Sequence, residues 1–275
     1  MATSGSGHVT ARTVFVLGLA LSILSISTFN LKRIWQPIGV YGYGTNIDGV
    51  VTGVDPGSPA ARAGIGVGDR LDETKMTPKE LEELIQLPQV ASPGITRTFD
   101  VLRGDTRRTV SITSEPEPMG ASDVTGLVAT WIGGLLFIGI GAAIVLLRPE
   151  PATWGFYLFC VGYAPADWTA LYVTSGAPAI QIEQIIQGLV NAAAVVGLIA
   201  FSLYFLHPIL GGWRRIVLGC LPVIYLAVVA VYTDEVVNTY LLARPAEAAA
   251  HLGIALNVLC SIIVVVALTD TLVRR

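Results

Sequence analysis

Charge is what this sequence has least of. Asp, Glu, Lys and Arg make up 13% of its 275 residues, where a water-soluble domain carries about 25%. A chain this poor in charge and 53% hydrophobic cannot cover itself with a hydrated surface. Its mean hydropathy of +0.65 points to lipid as much of its solvent. No excess of one sign compensates, since the net charge is −3 and gives no sign of a nucleic-acid partner. Cysteine is equally sparse. Cys160, Cys220 and Cys260 stand far apart inside apolar stretches, without metal-ligand spacing or a disulfide framework. They read as small buried hydrophobes.

The motifs of catalysis are missing too. There is no His-Glu-x-x-His pair for a zinc protease, no Gly-x-Ser-x-Gly elbow and no Gly-x-x-x-x-Gly-Lys phosphate loop. No enzymatic activity, metal or cofactor is therefore expected of these residues.

What the chain has in abundance is apolar runs. After a polar, Gly- and Ser-rich start at 1–12, expected to be disordered, comes TVFVLGLALSILSISTF at 13–29. It is slightly shorter than the ~20 residues of a spanning helix. It reads as an uncleaved signal anchor over 13–31, or else as a signal peptide with Ser25-Ile26-Ser27 as a poor cleavage site. Either delivers the next segment of the chain across a membrane. Beyond a polar linker at 115–124, five apolar blocks occupy 125–147, 153–173, 184–206, 215–232 and 248–269, each near spanning length. The expectation is about six transmembrane helices, with a five-helix membrane domain over 125–273. No repeat of solenoid period is visible.

Orientation can be read from arginines in the short loops. If the helices alternate, Arg12, Arg148, Arg214, Arg215, Arg274 and Arg275 share one side. The opposite loops hold Arg244 against Glu183, Asp234, Glu235 and Glu247. The arginine side should be cytoplasmic, with both termini inside and the segment between the first two helices outside. Lys32 and Arg33 argue mildly the other way and are outvoted.

That outer segment, 35–114, alternates as strands do. Gly49-Val50-Val51 and Phe99-Asp100-Val101-Leu102 are strand-like, Arg103-Gly104-Asp105 is a turn, and 108–113 is the returning strand. A helix start is signalled by Thr77 as N-cap and Pro78 at the first position, which puts Leu81, Leu84 and Ile85 on one face. Between these lies Pro56-Gly57-Ser58-Pro59-Ala60-Ala61, then Ala63-Gly64-Ile65, then Gly68-Asp69-Arg70. This run closely resembles the PDZ domains of bacterial proteins, especially those of periplasmic trypsin-like proteases. The chain departs from that pattern after Leu71, where Asp72-Glu73-Thr74-Lys75 replaces a usual Asn-Gly or Asp-Gly turn.

The resemblance implies an α+β PDZ-like domain inserted between helices 1 and 2. Such a domain captures an extended peptide as an added strand, its end held by main-chain N–H groups. It implies a carboxylate loop at Ile38, Gly39 and Val40, or alternatively at Tyr41 to Gly44. The edge strand would run from about Val40 through Tyr41 to Tyr43, and Leu81, Leu84 and Ile85 would wall the groove. The motif residues themselves are expected to shape turns rather than touch ligand. Short tethers would hold the domain at the bilayer, so the implied partner is a peptide or protein C-terminus at the membrane surface.

Polar residues inside the apolar blocks are costly and carry information. Asp167, Gln187, Asn191 and Asn257 are expected at similar depth in the outer half, as an intramembrane polar cluster. It is either glue between helices, worth ~0.6 kcal/mol per hydrogen bond, or an outward-facing pocket. Gly133, Gly134, Gly139 and Gly141 are expected to be close-packing positions. The whole arrangement resembles the N-terminal sensor region of bacterial membrane-bound signalling proteins such as histidine kinases, which implies a cytoplasmic signalling partner. A scaffold tethering an envelope protease or its substrate is the alternative. Transport is the weakest reading, because no matched broken helices appear.

Overall fold

A computed structural model describes residues 4–46, 49–72, 90–164, 177–206, 211–238 and 247–273. The first helix, α1 (Ser4–Phe29), starts inside the stretch expected to be disordered. The apolar span carries its helix back through Arg12, whose guanidinium donates to the Leu146 carbonyl at 3.4 Å. A 3-10 turn (Asn30–Ile34) then breaks the helix before the sheets begin.

The sheet domain contains β1 (Ile38–Val40), β2 (Tyr43–Thr45), β3 (Val51–Val54), the short helix α2 (Pro59–Arg62) and β4 (Arg70–Leu71). After them come β5 (Val90–Ala91), β6 (Thr96–Arg103), β7 (Thr106–Thr113) and β8 (Glu115–Glu117). All pairings are antiparallel: β1 lies between β5 and β8, β2 pairs β3, and β6 lies between β4 and β7. A bridge from Val50 to Arg70 joins the last two groups. Alternation along β6 and β7 sends Phe99, Val101, Val110 and Ile112 into one core with Tyr41, Tyr43, Val51 and Leu71.

One boundary moves. Residues 115–117, expected to begin the linker, form β8 and pair with β1, Pro116 lying opposite Gly39. A proline reads as linker in a sequence but is tolerated on the outside of a sheet. The tethers are therefore residues 35–37 and 118–120, each reaching about 10 Å when extended.

The remaining helices are α3 (Ala121–Leu147), α4 (Pro151–Tyr163), α5 (Ala177–Tyr204), α6 (Trp213–Val236) and α7 (Glu247–Val273). Together with α1, four of these are long and apolar enough to cross a membrane: α3, α5, α6 and α7. Of the remaining expected segment, 153–173, the described part belongs to the 13-residue helix α4. Ala164 turns extended there, with φ −60° and ψ 127°, and residues 165–176 lie outside the described ones.

Two cores organise the helices. Val16, Ala20 and Ile23 of α1 pack with Ile138, Val145, Tyr157 and Val161 of α3 and α4. Val195, Ile199 and Leu203 of α5 pack with Leu221, Cys260 and Ala267 of α6 and α7. The two triplets meet along α4 and α5, where Phe156 stacks near Phe201 and glycines line the closest approach. A Cβ on Gly155 would stand 2.6 Å from the Gly197 carbonyl, one on Gly197 2.6 Å from the Gly155 carbonyl, and one on Gly162 2.3 Å from Ala194 Cβ. Small residues let helix backbones approach this closely. Among the expected close-packing glycines, Gly134 is buried and Gly141 faces Cys160, while Gly133 and Gly139 face open space. Cys160 and Cys260 are buried as expected, but Cys220 is exposed on α6.

Candidate functional site: a sheet edge and three polar positions among the helices

The motif run builds a clamp. Ser58 caps α2, accepting from the Ala61 N–H at 3.2 Å, while its hydroxyl donates to the Gly42 carbonyl at 3.1 Å. Asp55 N–H donates to that same carbonyl at 2.9 Å, and Ala60 N–H to the Tyr41 carbonyl at 3.0 Å. Gly42 has φ +74°, and a Cβ there would stand 2.2 Å from Ser58 Cβ. The Tyr41–Gly42 loop is thus seated on the Pro-Gly-Ser-Pro turn, and only glycine fits it.

Asp69 fixes the other end of the motif. Its buried carboxylate accepts from the Gly66 N–H at 2.8 Å and from Arg103 at 2.6 and 2.7 Å. The Arg103 hydrogen bonds hold the Asp69 carboxyl below the usual carboxylate range, against the opposing effect of burial. Arg103 and Arg108 both reach the Gly64 carbonyl, at 2.9 and 2.6 Å.

The expected binding residues divide. Gly39 and Val40 have a strand on either side, so the Ile38-Gly39-Val40 carboxylate loop is corrected to the middle strand of three. Glycine is needed at 39 for packing: a Cβ would meet Ser114 Oγ at 2.8 Å and Pro93 at 2.9 Å. The side chains of Tyr41 and Tyr43 are in the core, and burial pushes the Tyr43 hydroxyl up to about 12. What these two leave for a ligand is backbone. β2 pairs with β3 alone among the described residues. Since the Gly42 carbonyl turns toward β3 to meet Asp55, strand alternation turns the main-chain groups of Tyr43 the other way. The open edge begins at Tyr43, three residues later than the expected start at Val40. Leu81, Leu84 and Ile85 lie outside the described residues.

Of the described members of the expected polar cluster, Gln187 and Asn191 share a cleft that Asn257 does not line. Asp167 lies outside the described residues. Gln187 and Asn191 line a cleft between α1, α4 and α5, with Ile23, Gly162 and Val190 as its apolar walls. Asn191 also donates to the Tyr232 hydroxyl at 3.2 Å, tying α5 to α6. Asn257 is elsewhere, exposed on α7.

A third polar position was not legible from residue patterns. Arg214, which in the sequence is only a topological marker, is 4% exposed. Its guanidinium donates to the Leu203 carbonyl at 2.7 Å, the Ala267 carbonyl at 2.9 Å, Thr271 Oγ1 at 2.8 Å and Asp270 at 3.0 Å. One side chain at the start of α6 therefore ties the end of α5 to the last turn of α7. The available signal was an acid, Asp270, in the final turn of an apolar helix at the arginine-bearing side.

Comparison with protein-family models, with curated proteins and with solved structures found no match.

Proposed function

We propose that the chain is a plasma-membrane sensor input module. Its PDZ-like domain, outside the membrane, reads an extended peptide or protein C-terminus, and its helices pass the bound state to a cytoplasmic signalling partner. The observation that carries this reading is that β2 pairs with β3 alone among the described residues. Its open edge offers main-chain groups at Tyr43, and strand addition is the recognition mode such an edge permits. Two short tethers support the transmission step. With residues 35–37 and 118–120 as the only slack, a shift of the sheet domain is felt directly by α1 and α3. The arginine-bearing ends of the helices support inside termini.

The test uses the full chain in lipid nanodiscs, titrated with a library of C-terminal peptides and followed by amide exchange. Peptide binding should slow exchange at Tyr43 and Thr45 and leave β7 unchanged. Binding with protection confined to other elements, or no binder up to high-micromolar peptide, would remove the peptide-reader reading. A cysteine at Ser58 should react with an impermeant thiol reagent in intact cells, in a background free of Cys160, Cys220 and Cys260. Labelling only after the membrane is permeabilised would reverse the orientation.

A further inference from the structure

Asn257 is an amide facing outward from an apolar helix. The α7 span runs His251–Val273, so Asn257 sits six residues in, about 9 Å along the axis. Of the spanning helices α7 is the least covered, with 11% of its most apolar stretch buried against 39% for α5. Its buried side is made by Cys260, Ala267 and Thr271. Asn257 flanks that side without being covered by it, on a stripe with Ile254, Ser261 and Val265, all exposed. The Ser261 hydroxyl donates to the Asn257 main-chain carbonyl at 2.8 Å, so its proton is not available to the side-chain amide oxygen. An amide in hydrocarbon without a partner is costly. Two polar side chains of other helices already have partners: Asn191 bonds Tyr232, and Arg214 bonds Asp270 and Thr271.

We propose that the Asn257 stripe of α7 is the contact between two copies of this chain in the membrane. The inference rests on the reading of α7 as a spanning helix. A carboxamide is both donor and acceptor, so it complements itself across a two-fold axis. Copies inserted with the same orientation bring Asn257 to the same depth, and the two amides meet without further adjustment. A different partner would need its own polar group at that depth. Ile254 and Val265 would pack on either side of the pair, one turn above and two below. Because α7 also carries Asp270 and Thr271, which hold Arg214, such a contact would join the last helices of two copies directly.

The experiment uses the full chain in lipid vesicles at low protein-to-lipid ratio, with Cys160, Cys220 and Cys260 replaced by alanine. Ile254→Cys and Ser261→Cys should cross-link under mild oxidation, whereas Val223→Cys, exposed on α6, should not. Asn257→Leu should lower the dimer fraction, measured by energy transfer between labelled copies, by about tenfold in the association constant, the size of two interhelical hydrogen bonds. Asn257→Gln should keep most of it. Cross-linking equal at Val223, or Asn257→Leu associating like the parent, would overturn the contact. Insertion is checked in the same vesicles by resistance to alkaline extraction. A monomer that resists extraction overturns the contact alone; a chain that is extracted overturns both the contact and the spanning reading beneath it.

Discussion

In the sheet domain a glycine stands where the backbone must turn left-handed, as at Gly42 and Gly57 with φ +74° and +75°. Along α4 and α5 the glycines are ordinary helical residues, and what matters is the Cβ they lack. The difference reflects what drives each region together. Water rewards burial of Tyr41, Phe99 and Val101, so the sheet domain packs large side chains and, Gly39 apart, uses these glycines to steer the chain. Between α4 and α5 the contact comes instead from close backbone approach, the mode by which apolar helices join where burial from water gives little reward.

The largest effect should come from breaking the helical seam. Gly162→Leu places side-chain atoms where Ala194 Cβ and the Val190 carbonyl already stand, 2.3 and 2.7 Å from the new Cβ. It should cost about 4 kcal/mol or leave no folded protein, far beyond ordinary overpacking. Gly133→Ala, with nothing within 4 Å, should fall within about 0.5 kcal/mol of the parent. Both are read from reversible unfolding in mixed micelles, and equal losses would show that the seam is not what joins the triplets.

Arg214→Leu comes next. It removes the guanidinium that Asp270, at 20% side-chain exposure, shares, and breaking one side of such a pair costs about 3 kcal/mol. Adding Asp270→Leu should recover much of the loss in the same unfolding assay. A double variant no better than the single would mean that the carbonyl contacts to Leu203 and Ala267, rather than the ion pair, carry the stability.

In the sheet domain, Gly42→Ala combines a left-handed φ with a clash against Ser58 and should cost about 2 kcal/mol. Gly57→Ala, strained by φ alone with open space around it, should cost about 1 kcal/mol. Exchange of the Val51–Val54 amides in the full chain measures both, and the order of the two losses tests whether the loop is held by Ser58. The smallest effect is a pH dependence. Because the folded Asp69 carboxyl titrates below its ordinary range, the Asp69–Arg103 contribution is complete above that range. It is lost as pH falls toward the depressed folded value. Exchange protection of β6 should therefore weaken on acidification, and weaken less in Asp69→Asn.

Much of this was legible in the residues. The dearth of charge and the spacing of apolar runs set a helical, lipid-suited chain with a small sheet insert between the first two long helices, because composition and periodicity act locally. The glycines and Asp69 of the Pro56–Arg70 run also declared themselves as turn builders, since their roles are played out within a few residues of one another. Other features depend on partners distant in sequence. Whether Ile38–Val40 is an edge or a middle strand is settled by residues 90–91 and 115–117, which no local pattern ties to it. Asn191 and Asn257 look alike as amides in apolar runs, and only packing puts one against Tyr232 and the other on an outer face. Arg214 reads as one more loop arginine until Leu203, Ala267, Asp270 and Thr271 close around it. The sequence by itself determined which segments are apolar and where the chain turns. Tertiary structure alone decided which polar groups are satisfied within the chain, because hydrogen bonds are short and directional. Their partners here lie far apart in sequence, 57 residues between Arg214 and Thr271 and 141 between Tyr157 and Val16.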